Sequence, residues 1–108
     1  MVFGHYILRG KEPVPASDTL EWGRWFENKD NRRVAFDKVE DEAEVSTVFV
    51  GLDHGFGGTP LLFETMVFGG KLDGEQDRYS TWEEAEAGHK AIVGRVRASM
   101  SDDHSTAA

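Results

Sequence analysis

The chain has 108 residues, 39% hydrophobic and 30% charged, and twenty Asp and Glu against twelve Lys and Arg give it a formal charge of -8. That length suits one globular domain with a single core, and the charge repels a phosphate backbone, so direct nucleic-acid binding is not expected. With no cysteine, disulfide scaffolds, thiol nucleophiles and thiolate zinc sites are excluded, and no stretch approaches the ~18 apolar residues of a membrane span; the chain reads as soluble, unprocessed and cytoplasmic.

Residues 5–8 form a short candidate strand, after which Pro13 and Pro15 impose an extended connection. Asp18 is placed to cap a short helix, with Glu21 three residues on and Trp22, Trp25 and Phe26 at the spacing of one apolar face. The helix should end within residues 28–31. Its aromatic side chains can bury roughly 150 to 250 Å² each, enough to anchor a core; a partner-binding hot spot is the other use of tryptophans so grouped. Residues 33–39 read as a moderate strand, and the acidic turn of Glu40, Asp41, Glu42 and Glu44 leads into a stronger one at 45–52.

In that second strand both alternating sets are apolar, which argues for a central position. Residues 61–68 repeat the pattern, with Leu61, Phe63, Thr65 and Val67 on one face and Leu62, Glu64, Met66 and Phe68 on the other. Two such strands imply a helix over one face and a second layer, such as another subunit, over the other. The final helix opens on a capping box at Thr81 and Glu84 and carries a stripe of Trp82, Ala85, His89, Ile92, Val93 and Val96. Gly88 and Gly94 weaken it by up to about 1 kcal/mol each, which close approach to the sheet would explain. The expected architecture is α+β: an antiparallel sheet of three or four strands, the C-terminal helix packed on one face and a short N-terminal aromatic helix, all within residues 1–100. Residues 101–108 lack apolar periodicity and read as a disordered tail.

Few residues suggest chemistry. Asp53 and His54 open a glycine-rich loop, 53–60, between two buried strands, a common place for a site. The loop leads to a strand and has no lysine, so a phosphate cradle is not expected; glycines at positive φ with Phe56 as a plug explain it as well. Glu64, flanked by Leu62 and Met66, should be partly desolvated unless Arg33 or Arg78 pairs with it. His54 and Glu64 are the only catalytic candidates. A metal site would have to be assembled from His5, Asp53, His54, Glu64 and His89 without any compact signature, and neither a metal nor a cofactor is expected.

The words LDHGFG, LFETMVF and YSTWEEA, within residues 45–93, resemble a widespread group of short uncharacterised proteins from bacteriophages and prophage regions. The resemblance implies a phage setting, in which compact acidic proteins frequently act by binding a host factor, and it carries no catalytic residue onto any position here. The expected function is a non-enzymatic accessory protein that binds a host or phage protein in the host cytoplasm. Trp22, Trp25, Phe26, the acidic turn, Asp53 and His54 are its candidate contacts. Two alternatives are a small enzyme or ligand-binding protein using loop 53–60 with Glu64, and an acidic DNA mimic. The excess of large apolar side chains also points to a homodimer or a docked partner.

Overall fold

The structure, a computed structural model, describes residues 4–52 and 59–106. An antiparallel hairpin of β1 (Tyr6–Arg9) and β2 (Glu12–Pro15) comes first. Pro13 and Pro15 are therefore more than a connection: they pair with Leu8 and Tyr6 in a strand with a free edge, where a residue lacking an N–H is tolerated. Helix α1 (Thr19–Glu27) follows, capped as expected by Asp18, whose Oδ1 accepts the Glu21 N–H at 2.7 Å. Glu21 in turn accepts the Ser17 N–H, one residue earlier than a reciprocal capping box would place it.

The second sheet is a meander of four antiparallel strands in chain order, β3 (Arg33–Val39), β4 (Ala43–Phe49), β5 (Phe63–Phe68) and β6 (Gln76–Tyr79). β3 and β4 turn through the acidic residues, with Glu40 at φ +57. β4 is central, as its apolar pattern requires, but it ends at Phe49. The next residues hold the first hairpin instead: the Tyr6 N–H donates to the Gly51 carbonyl at 2.8 Å, and Leu52 bridges His5. Gly51 (φ +67) is needed there, because a Cβ would fall 2.5 Å from the Phe26 ring.

Helix α2 (Trp82–Thr106) closes the domain. Its capping box forms in full: the Glu84 N–H donates to Thr81 Oγ1 at 3.1 Å, and Glu84 Oε1 accepts from the Thr81 N–H at 3.2 Å. The buried stripe of Ala85, His89, Ile92, Val93 and Val96 extends to Met100. The backbone stays helical to Thr106 because no glycine or proline interrupts residues 95–106. Gly88 lets the Tyr79 ring lie against the helix where a Cβ would overlap it, whereas Gly94 faces open space, so close approach explains only the first.

Both helices lie on one side of the meander. Trp25 and Phe26 of α1 pack on Phe49, Phe49 on Phe63, and Phe63 on Trp82 at the start of α2, a run of ring contacts at centroid distances of 5.2 to 6.2 Å. Leu8, Leu62, Tyr79 and Ala85 complete this half of the core. The other half packs Val39, Ala43, Val45 and Val67 against Ile92, Val93, Val96 and Met100. The opposite side of the sheet presents Phe36, Ser46, Val48, Glu64, Met66, Phe68 and Arg78, none of them buried. The expected second layer is therefore not supplied by the described residues.

Candidate functional site

Between the two halves of the core runs a belt of polar side chains. Thr47 of β4 and Thr65 of β5 are directly opposed in the sheet, both fully buried, with their hydroxyl oxygens 2.5 Å apart. Thr47 Oγ1 lies 2.7 Å from His89 Nδ1, and His89 Nε2 lies 2.8 Å from Asp37 Oδ2 of β3. A carboxylate can only accept, so Nε2 carries a proton. In neutral His89, Nδ1 accepts the Thr47 hydroxyl, leaving Thr47 to accept from Thr65. His89 is 3% exposed and fully satisfied, a packed residue as its place on the helical stripe suggested.

The order carboxylate, imidazole, hydroxyl is the one that activates a nucleophile in hydrolases. Here it cannot act on a substrate, because Thr47 is at 0% exposure beneath α2 and no reacting atom can approach it. Burying these groups is costly unless each finds its partner; paired, they fix the position of α2 across β3, β4 and β5. At the far end, burial pushes the Tyr79 phenol above its usual 10.0, with Thr65 working against the shift and Asp77 adding to it. The Tyr79 hydroxyl meets no partner in hydrogen-bond geometry among the described residues, so its interaction with Thr65 is at most weak and burial dominates.

The residues singled out in the sequence are scattered. Glu64 sits on the open side of the sheet, where Arg78 Nε lies 3.0 Å from its Oε2; the strand register places these two opposite each other and so selects Arg78 over Arg33. Asp53 and His54, with Phe56 and the glycines around them, lie outside the described residues. His5 packs edge-on against Trp22, at 4.7 Å between ring centroids, and Trp22 leans on Phe26. Trp22, Trp25 and Phe26 are thus all half-buried in the domain's own packing, and Leu20 is the exposed apolar residue of α1, at 62%. Among the described residues, no three His, Asp or Glu converge as metal ligands.

Among the described residues, two depressions stand out. One, of about 280 Å³, lies at the start of α2 beside Lys11, Pro60, Ser80 and Trp82, with Lys11 Nζ 5.6 Å from the Trp82 ring centre. The other, shallow and about 530 Å³, follows α1 along Leu20, Arg24 and Trp25. Glu12, Glu83 and Thr81 also line the first, but among the described residues no hydrogen bond joins a hydroxyl of either depression to an acidic or basic side chain.

Fold and site together define a small α+β domain with a polar cluster sealed inside and a sheet face that the described residues leave open. Comparisons with protein-family models, curated proteins and solved structures each find no match. Among the described residues, no helix is long and apolar enough to cross a membrane.

Proposed function

We propose that this chain is a phage-encoded accessory protein that binds a host or phage protein and alters its activity, with no chemistry of its own. The observation that carries the reading is the open side of the meander. There Phe36 and Phe68 are 42% and 51% exposed, beside half-buried Val48 and Met66. Large apolar side chains grouped within a charged border are the usual make-up of an interface core and rim, and Arg33, Lys38, Glu44 and Arg78 provide such a border. Two further features favour binding over catalysis: the cluster with catalytic order among the described residues is sealed, and Glu64 is held by Arg78. The phage setting rests on the resemblance of the three sequence words.

The test is capture of partners from nuclease-treated lysates of host and infected cells, using the tagged chain and its Phe36→Ser/Phe68→Ser variant. This variant is preferred to one at Trp25, whose ring packs on Phe49. A stoichiometric partner lost with the folded variant supports the reading. Capture that survives the substitutions moves the contact to another surface, and no partner from either lysate refutes it.

A further inference from the structure

We propose that the cleft at the start of α2 is a seat for a methylated ammonium group, whose aromatic face the chain covers with its own Lys11. The cleft is walled by Tyr6, Pro60 and Trp82 and edged by Lys11, Glu12 and Glu83. Gly10, at φ +61, and Lys11 form the turn between β1 and β2. That turn carries the Lys11 Nζ to 5.6 Å from the centre of the Trp82 ring, where an ammonium is attracted by the quadrupole of the indole face. The chain thus already sets one cation on this surface.

Charge decides what kind of ligand can replace it. Lys11 is the one cation among the described residues lining the cleft, against the two carboxylates of Glu12 and Glu83, so the lining turns more acidic when Lys11 leaves. Neither carboxylate is engaged in a salt bridge or side-chain hydrogen bond among the described residues. Arg9 stands opposite Glu12 in the hairpin but does not line the cleft. An anion has no such opening. The place it would take at the start of the helix belongs to Glu84, whose Oε1 accepts the Ser80 and Thr81 N–H groups at 3.1 and 3.2 Å.

Size and competition narrow the ligand further. A volume of about 280 Å³ is at the small end of ligand sites, which begin near ~300 Å³, and suits a compact head group. Lys11, being tethered, competes as though present at roughly millimolar concentration, so a ligand with the same primary ammonium gains little by replacing it. Methyl groups on the nitrogen remove N–H bonds to water, so such a head loses less hydration on meeting the ring. They also add apolar contact with Tyr6, Pro60 and Trp82.

The proposal is tested by titrating the isotope-labelled full chain with choline and following the indole N–H resonances of its three tryptophans. Trp82 Nε1 meets no hydrogen-bond partner among the described residues, so its resonance reports on the surroundings of the ring, with Trp22 and Trp25 as internal controls. Choline should shift the Trp82 signal saturably, and the isosteric alcohol in which carbon replaces nitrogen should not. Lys11→Gln should bind choline about two- to fivefold more tightly, the worth of one exposed cation–π contact. Glu12→Gln/Glu83→Gln should bind it about threefold more weakly or worse. These positions are exposed, and circular dichroism checks that each variant is folded; Trp82 is left in place because its ring packs on Phe63. A second titrant, acetylated trimethyl-lysine amide, separates a free ammonium ligand from a methylated lysine of a protein, the tighter of the two naming the source.

The absence of a saturable Trp82 shift up to about 100 mM choline, in both wild type and Lys11→Gln, overturns the proposal. An equal response to the uncharged alcohol overturns it too, as does weaker binding by Lys11→Gln, which would make the lysine part of an anion site. None of these outcomes bears on partner capture through Phe36 and Phe68, so this proposal and the proposed function fail separately.

Discussion

Replacing Thr47 by valine keeps the shape of the side chain and removes one hydroxyl, yet it should be among the most damaging small changes in this domain. That hydroxyl meets both Thr65 Oγ1, at 2.5 Å, and His89 Nδ1, at 2.7 Å. Valine leaves two buried polar groups without a partner, at about 1 to 3 kcal/mol for each, so the expected loss is about 2 to 6 kcal/mol. Domains of this kind are stable by only about 5 to 15 kcal/mol in all. Urea unfolding followed by tryptophan fluorescence measures the change as a lower midpoint at constant slope. Adding Thr65→Val removes one of the two orphaned groups, so the double variant should be less damaged than the sum of the singles by about 1 kcal/mol or more. Adding His89→Leu as well removes the other, while Asp37, half-exposed, turns to water; the triple variant should recover much of the loss. A Thr47→Val variant within about 0.5 kcal/mol of wild type, or strictly additive singles, would refute the argument that the belt holds by mutual satisfaction.

The glycines of α2 should respond in opposite directions. Gly94→Ala gains helix propensity with open space around it and should stabilise by about 1 kcal/mol, near 4 to 8 °C in melting temperature. Gly88→Ala gains the same propensity but drives a methyl into the buried Tyr79 ring, and overpacking at about 1 to 3 kcal/mol should leave it destabilised. A calorimetric scan of both decides it, and a shift of the same sign in each would contradict the packing. Tyr79 also sets a pH dependence. Its folded pKa is raised above 10.0, so the folded chain holds a proton that the unfolded chain releases. The contribution is fully present below pH 10 and is lost as pH rises through the folded value; the difference between wild type and Tyr79→Phe in alkaline denaturation isolates it. A difference that stays flat through that range would remove burial as its cause.

Sequence periodicity carries much of this architecture because the elements with strong patterns also have strong ends. α2 announces itself through Thr81, Glu84 and a stripe at helical spacing, and β3 and β4 through apolar runs around an acidic turn. β6 has no such pattern: Gln76, Asp77 and Arg78 are polar, exposed, and held by pairing with β5. β2 is obscured by two prolines that a single hairpin edge accepts. Apolar residues on both faces of β4 and β5 suggest cover on both sides, whereas the described residues cover one and leave the other half-exposed. The belt is legible only in part. His89 stands out on its stripe, but Thr47 and Thr65 pass as β-branched strand residues; the available signal is that each interrupts the apolar set facing the helix. Glu64 advertises its need for a cation, and only the register can choose Arg78. Trp22 and Trp25 are compatible with packing and with recognition in the sequence, and their contacts with His5, Phe26 and Phe49 account for packing.

Each strand of the meander pairs with the one next to it in the chain, so the sheet can be assembled from three hairpins whose loop closures are short and fast. The helix that shields it follows all four strands in the chain. During synthesis, the inward residues Val45, Phe49, Phe63 and Val67 are complete before α2 has left the ribosome, and they meet its cover only once it has emerged. Until that moment only α1, through Trp25 and Phe26 on Phe49, covers part of the inward side, and chains translated side by side on one message are most prone to stick together within that interval. The length of α2 sets how long the interval lasts: His89, which locks the helix in place, emerges early in it, and Met100, the last residue of the buried stripe, emerges late.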